Sequence, residues 1–278
     1  MNKDLKEKFA FTLAEGATHV GIFHNIGGTF HKLVESFTHV GIFNNTRRVG
    51  FTLAEVLITL GIIGIVSAMT IPTLLNNYRQ KVLDKQFVQT YSLLSQNLLL
   101  TQSQYDYIPK CYYGGNGIQT NASNCPEFFN KFFNNLKVIK KCKNKAFESG
   151  CIPEYEGIDT VAEKNNPNAV VPDGYDSYGE YASRGCDCFK KNHILNNLPA
   201  YNLNNGSIVF LFSDGYYYAP IFTFDVNGHQ GPNKWGHDLF NIGIYFDGNK
   251  FYLNDHVCMT TEDNGIKTLN KLQQLGLR

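Results

Sequence analysis

From Val56 to Tyr78 the chain runs 23 residues without a charge. An α-helix needs roughly 20 to cross the hydrocarbon core of a bilayer. Residues 56–71 are apolar on every side and include the small residues Gly61, Gly64, Ser67 and Ala68, at which membrane helices can approach closely. Pro72 follows and is expected to kink or locally melt the helix. Beyond it the pattern changes. Leu83, Phe87, Tyr91, Leu94 and Leu98 recur at spacings of four, four, three and four, which is one face of a helix. The pattern predicts a helix from Phe51 to about Leu100, in which 51–75 span a membrane and 76–103 continue as an amphipathic stem.

After the stem the periodicity fades. Residues 104–205 are rich in Asn, Gly, Lys, Tyr and Cys. One short helix is expected over 125–136, with Phe129, Phe132, Phe133 and Leu136 on one face. Residues 163–185 read as a long loop. The C-terminal part is strand-like. Asn205-Gly206 gives a turn, 208–212 a strand, 213–215 a turn and 216–224 a second strand, broken or at an edge near Pro220. Residues 242–246 and 250–253, joined by Asp247-Gly248-Asn249, read as another hairpin. The predicted fold class is α+β: an antiparallel sheet packed on the amphipathic half of the stem, so that both bury their apolar faces. Residues 104–278 form the globular part.

The formal net charge is +1, which argues against a dedicated nucleic-acid binder. Residues 1–50 hold six Lys/Arg and four Asp/Glu. Arg47 and Arg48 stand just before the apolar run, which orients the N-terminus to the cytoplasm and the bulk of the chain outside. All seven cysteines (111, 125, 142, 151, 186, 188 and 258) lie beyond the span, as expected for disulfides on an exported side. Cys142 and Cys151 can close a short basic loop, and the odd count leaves at least one thiol over. Six cysteines allow fifteen pairings, so the map stays open.

The first 50 residues repeat themselves. Phe11-Thr12-Leu13-Ala14-Glu15 returns as Phe51-Thr52-Leu53-Ala54-Glu55, and His19-Val20-Gly21-Ile22-Phe23 as His39-Val40-Gly41-Ile42-Phe43. The copies are too few, short and Gly-rich for a repeat fold. They read as a duplicated leader, and only the second Phe-Thr-Leu-Ala-Glu runs into an apolar helix. An ordinary signal anchor would explain that helix. It would not explain Glu55 at its mouth, because a carboxylate in hydrocarbon is costly and usually functional.

Arg47-Arg48-Val49-Gly50-Phe51-Thr52-Leu53-Ala54-Glu55-Val56-Leu57-Ile58 resembles the type IV prepilin N-terminal cleavage and methylation motif of type IV pilins and type II secretion pseudopilins. The resemblance covers Arg47 to about Leu100, and the 50-residue leader is long for the family. It implies a pilin-like fold. It also implies cleavage after Gly50 by a membrane aspartic peptidase, methylation of the new Phe51 amine by the same enzyme, and neutralisation of a neighbouring subunit's amine by Glu55. The implied partners are the prepilin peptidase/methyltransferase, other pilin or pseudopilin subunits and an inner-membrane assembly platform. The implied place is the cytoplasmic membrane, then a filament. A structural subunit, a minor one at least as readily as a major one, is the leading expectation. A tip adhesin or DNA-uptake subunit is the alternative, favoured if aromatics such as Tyr216–Tyr218 are exposed beside basic residues. Nucleic acid is expected as a partner only under that alternative.

Residues 225–240 resemble a segment recurring near the C-terminus of pilin-like proteins with this leader type. Asp225, Asn227, Asn233 and Asp238 are hard oxygen ligands separated by Gly and Pro, and such a loop can hold Ca²⁺. It lacks the EF-hand spacing, and its carboxylates can instead cap backbone N–H groups in Asx turns. No cofactor is required on this reading. Cys186, Cys188 and His193 have poor zinc spacing. His229, His237 and His256 are expected to be structural. No catalytic constellation is evident, and an enzyme is not expected.

Overall fold

The computed structural model describes residues 50–114, 117–119, 124–186, 189–212, 220–256 and 258–278. The first Phe-Thr-Leu-Ala-Glu copy, both His-Val-Gly-Ile-Phe copies, Cys188, the turn at 213–215 and the aromatic run 216–218 lie outside them.

Helix α1, Leu53–Ser103, is 51 residues long with Pro72 inside it. The expected melting at Pro72 does not occur. A proline removes one N–H donor and crowds one carbonyl, a local cost of about 3 kcal/mol. The helical turns on both sides outweigh it. Among the described residues, none of the side chains in the most apolar 18-residue window of α1 is buried inside the protein. Farther along, Leu83, Phe87, Thr90, Leu94, Asn97, Leu98 and Thr101 are buried. Tyr91 is half-buried, and its hydroxyl donates to the Leu253 carbonyl at 2.8 Å. The stripe is the expected one, widened by three polar residues. Asn97 belongs there because its amide donates to the Phe132 carbonyl at 2.8 Å.

The strands are β1 Tyr112–Gly114, β2 Gly117–Gln119, β3 Val138–Cys142, β4 Ala200–Leu203, β5 Ile208–Leu211, β6 Ile221–Asp225, β7 Leu239–Phe246 and β8 Phe251–Asp255. Among the described residues they form one eight-stranded sheet, in the order β2-β1-β7-β6-β5-β4-β3 with β8 also on β7. Ile242 and Gly243 pair with both β6 and β8, and Tyr245 pairs with both β1 and β8. So β8 takes one side of β7, while β6 and β1 follow each other along the opposite side. The sheet is mixed rather than wholly antiparallel, because β1 meets β7 in parallel. Pro220 is not at a sheet edge, since β6 lies between β5 and β7. It stands just before the first residue of β6, where a missing N–H costs no ladder bond.

Among the described residues the remaining α-helices are α2 Asn124–Asn135, α3 Ile158–Asn165, α4 Tyr178–Ala182, α5 Lys191–Asn196 and α6 Thr268–Gln274. Helix α2 is the expected one, shifted by one residue. Parts of α3 and all of α4 lie in the stretch expected to be loop. Alternation along β6 splits the core. Phe224 meets Phe87 of α1, and Phe222 meets Phe129, Phe132 and Phe133 of α2. On the other face Phe210, the register partner of Thr223, packs on Tyr155. Both faces of the central strands are therefore covered, and β5 and β6 are buried throughout. Disulfides join Cys111–Cys125, Cys142–Cys151 and Cys186–Cys258. The second closes the expected basic loop. The C-terminal helix is fastened to α1 by an ion pair between the buried Lys271 and the half-buried Asp84.

Candidate functional site

Gly50 and Phe51 precede the helix, and Phe51 is 78% exposed. A Cβ placed on Gly50 would meet nothing within 4 Å, so the described residues place no steric demand for glycine there. The helix begins with a reciprocal cap. The Glu55 N–H donates to Thr52 Oγ1 at 3.2 Å, and the Thr52 N–H donates to Glu55 Oε2 at 2.8 Å. The Thr52 hydroxyl also reaches Oε2, at 3.0 Å. This is a capping box, which satisfies two donors that a helix start would otherwise leave open. The signal for it is plain in the chain, since Thr52-Leu53-Ala54-Glu55 has the required spacing. Only one carboxylate oxygen is engaged, and among the described residues Oε1 accepts no hydrogen bond. Glu55 is therefore held in one orientation with acceptor capacity to spare. Gly61 and Gly64 also face open space.

The second candidate is the loop between β6 and β7. It gathers Asp225, Asn227, Asn233 and Asp238 into one compact turn system. Asp225 Oδ1 accepts the N–H groups of Asn227 at 3.0 Å and Gly228 at 2.7 Å. Its Oδ2 accepts the Tyr155 hydroxyl at 2.8 Å. The two Asp238 oxygens accept the N–H groups of Asn233 and Lys234, each at 2.7 Å. All four carboxylate oxygens thus take protein donors, which is the turn-forming role. The side-chain oxygens of Asn227 and Asn233 are buried without a partner. Among the described residues no group of three or more His, Cys, Asp or Glu could hold a metal. Gly228 is required: with φ at +64°, a Cβ would come within 2.2 Å of the Gly206 carbonyl oxygen. Trp235 seals the loop, fully buried, with its indole N–H on the Glu156 carbonyl at 2.8 Å.

Burial pushes the Asp225 carboxyl well above its usual range, and the nearby Asp238 charge adds to the shift. Burial also raises Asp238, against the pull of the Asn233 and Lys234 N–H groups. Burial, then the Asp225 charge, drives the Tyr155 hydroxyl up as well. His256 moves the other way. Burial lowers it to about 4, against a smaller opposing effect of Asp255, and its Nδ1 accepts the Cys258 N–H at 3.2 Å. His237 meets the Glu262 carbonyl at 2.8 Å. His229 is exposed, so the structural role expected of the three histidines holds for two.

Residues 47–71 match the family model of the prokaryotic N-terminal methylation motif. No curated protein and no solved structure matches the chain. The motif is present, and it lies on the charged approach, the Gly50-Phe51 junction, the capped helix start and the first turns of the apolar run.

Proposed function

We propose that the chain is a structural subunit, a minor pilin or pseudopilin, of a type IV pilus or a type II secretion pseudopilus. It is processed after Gly50 by a prepilin peptidase, methylated at Phe51 by the same enzyme, and drawn into a filament from the cytoplasmic membrane by an assembly platform. The observation that carries this reading is the methylation motif at 47–71 on a helix whose apolar window finds no cover inside the protein. Gly50 supports it, because nothing among the described residues excludes a side chain there. A demand for glycine would then come from the peptidase that reads it.

Glu55 has a derivable part in assembly. A buried carboxylate needs a cation or must take up a proton. The cap on Oε2 fixes the side chain, and Oε1 is left for the Phe51 ammonium of a neighbouring subunit. One subunit repeating such a contact on the next builds an open, helical filament. The bilayer topology follows Arg47 and Arg48, with the N-terminus in the cytoplasm and residues 104–278 outside.

Two variants test the reading. Gly50 replaced by a bulky residue is expected to accumulate as uncleaved, membrane-bound precursor. Glu55→Ala is expected to be cleaved yet to give little polymer. Normal polymer yield from Glu55→Ala would remove the charge-pairing role and leave cleavage standing.

A further inference from the structure

The chain is almost neutral, yet its charges are sorted. Between 131 and 151 there are six lysines and one acid, Glu148. Between 154 and 180 there are seven acids and one base, Lys164. The basic stretch runs along β3, the last strand of the sheet order, whose outer side carries no strand among the described residues. Lys137 and Lys143 are exposed and form no ion pair among the described residues. Lys141 lies over the Tyr201 ring, 5.1 Å from its centroid. Ile139, in the middle of this edge, is 72% exposed.

The acidic stretch is built on α3 and α4. Their close approach depends on Gly179, where a Cβ would fall 2.3 Å from the Asp159 carbonyl oxygen. Between them lies a cavity of about 350 Å³ lined by Asp159, Glu163 and Glu180, with Lys164 and Lys190 also on its wall. Each of the three carboxylates accepts one backbone N–H, from Lys191, Gly179 and Asp176 respectively. None of the three forms an ion pair among the described residues. Lys164 and Lys191 are instead paired with Glu156 and Glu154.

Lysines on an edge strand ordinarily keep strands of other copies from adding to it. That accounts for the sign of this edge but not for a second surface of opposite sign, whose three carboxylates form no ion pair among the described residues. We propose that the two surfaces dock on each other between copies: the β3 edge of one subunit, through Lys137, Lys141 and Lys143, meets the Asp159–Glu163–Glu180 surface of the next. This rests on the subunit reading above and names the contact made outside the membrane. Opposite charges fix register and suppress wrong neighbours, and different patches on the two copies make the contact heterologous and open-ended. Ile139 supplies apolar area at its centre.

The test uses the chain in membranes of a host that carries the peptidase and the assembly platform. A carbodiimide couples a lysine amine to a carboxylate only where the two touch, and mass spectrometry reads which residues were joined. Wild type is expected to give dimers and longer ladders linked between 137–145 and 159–180. Reversing the three lysines to Glu, or the three acids to Lys, is expected to cut these products about tenfold or more. A chain carrying both reversals is expected to recover them, which loss of folding could not produce. Wild-type oligomers linked elsewhere would overturn the docking contact and leave the subunit reading intact. A lysine-reversed chain that links normally but loses binding to a DNA fragment would overturn it in favour of a polyanion surface. A wild-type chain that gives no linked oligomers at all would bring down both.

Discussion

Helix α1 spends its two halves in different ways. In the apolar window Ile62, Ile63 and Ile65 are each more than half exposed, and Gly61 and Gly64 touch nothing. From Leu83 onward Phe87, Leu94 and Leu98 are fully buried against the protein's own core. Composition separates them, since residues 56–78 carry no charge and the stem carries Arg79, Lys81, Asp84 and Lys85. So does periodicity. An all-round apolar surface needs a partner on every side, as lipid and neighbouring helices provide, whereas a single stripe is satisfied by one sheet.

The strongest way to break this comparison is to truncate one side chain in each half. Phe87 lies against Tyr91, Phe224 and Phe240. Phe87→Ala is expected to cost about 3–5 kcal/mol of domain stability, read by denaturant unfolding of the detergent-solubilised chain. Ile62→Ala is expected to leave that unfolding curve in place. Equal losses would mean that the apolar half also packs on the domain.

The next largest effect is pH-dependent. Because His256 is held at about 4 in the folded state, its contribution is complete above the unfolded value near 6.5 and is lost as pH falls towards 4. That is roughly 3 kcal/mol, and His256→Gln should flatten this slope. Asp225 and Asp238 act with the opposite sign. Their raised folded values favour the protonated form, so their contribution is full below the usual carboxylate range and is lost as pH rises through the folded values. Asp225→Asn should remove part of that loss. Melting curves from pH 4 to 8 separate the two groups. An acid-side slope left unchanged by His256→Gln would contradict the His256 assignment.

Smaller effects sharpen the picture at each end. Thr52→Ala removes one partner of the capping box. It is expected to loosen the first turn of α1 by about 1 kcal/mol, seen as faster amide exchange near residue 55 with no change in domain melting. At the β6–β7 loop, chelator and added Ca²⁺ are expected to give equal melting temperatures if the carboxylates serve only the turns. A rise with Ca²⁺ would assign a cation to the spare oxygens of Asn227 and Asn233.

Much of this was legible in the chain wherever a periodic pattern met a single partner surface. Helix α1 and its stripe, helix α2 with its phenylalanines, the pairing of β5 with β6 and the β7–β8 hairpin all follow from spacing. Strand β3 does not, because it carries Lys140 and Lys141 on an exposed edge and lacks the alternation of a half-buried strand. Strand β1 meets β7 at one residue pair, Tyr113 and Tyr245, a contact set by tertiary packing far from either in sequence. Helices α3 and α4 are short and held by side-chain-to-backbone bonds such as Asp159 to the Lys191 N–H, which leave no hydrophobic period to read. At the candidate site, Glu55 stood out by its cost in lipid. Its local cap with Thr52 was equally readable from the spacing of the two residues.

On the proposed function, residues 51–55 are a processed start. Intact-mass and N-terminal peptide mass spectrometry of the protein extracted from membranes of a host carrying the peptidase tests it most directly. The account predicts a chain that begins at Phe51 with a methylated amine. A chain that retains Gly50 and the residues before it in assembled material would contradict it.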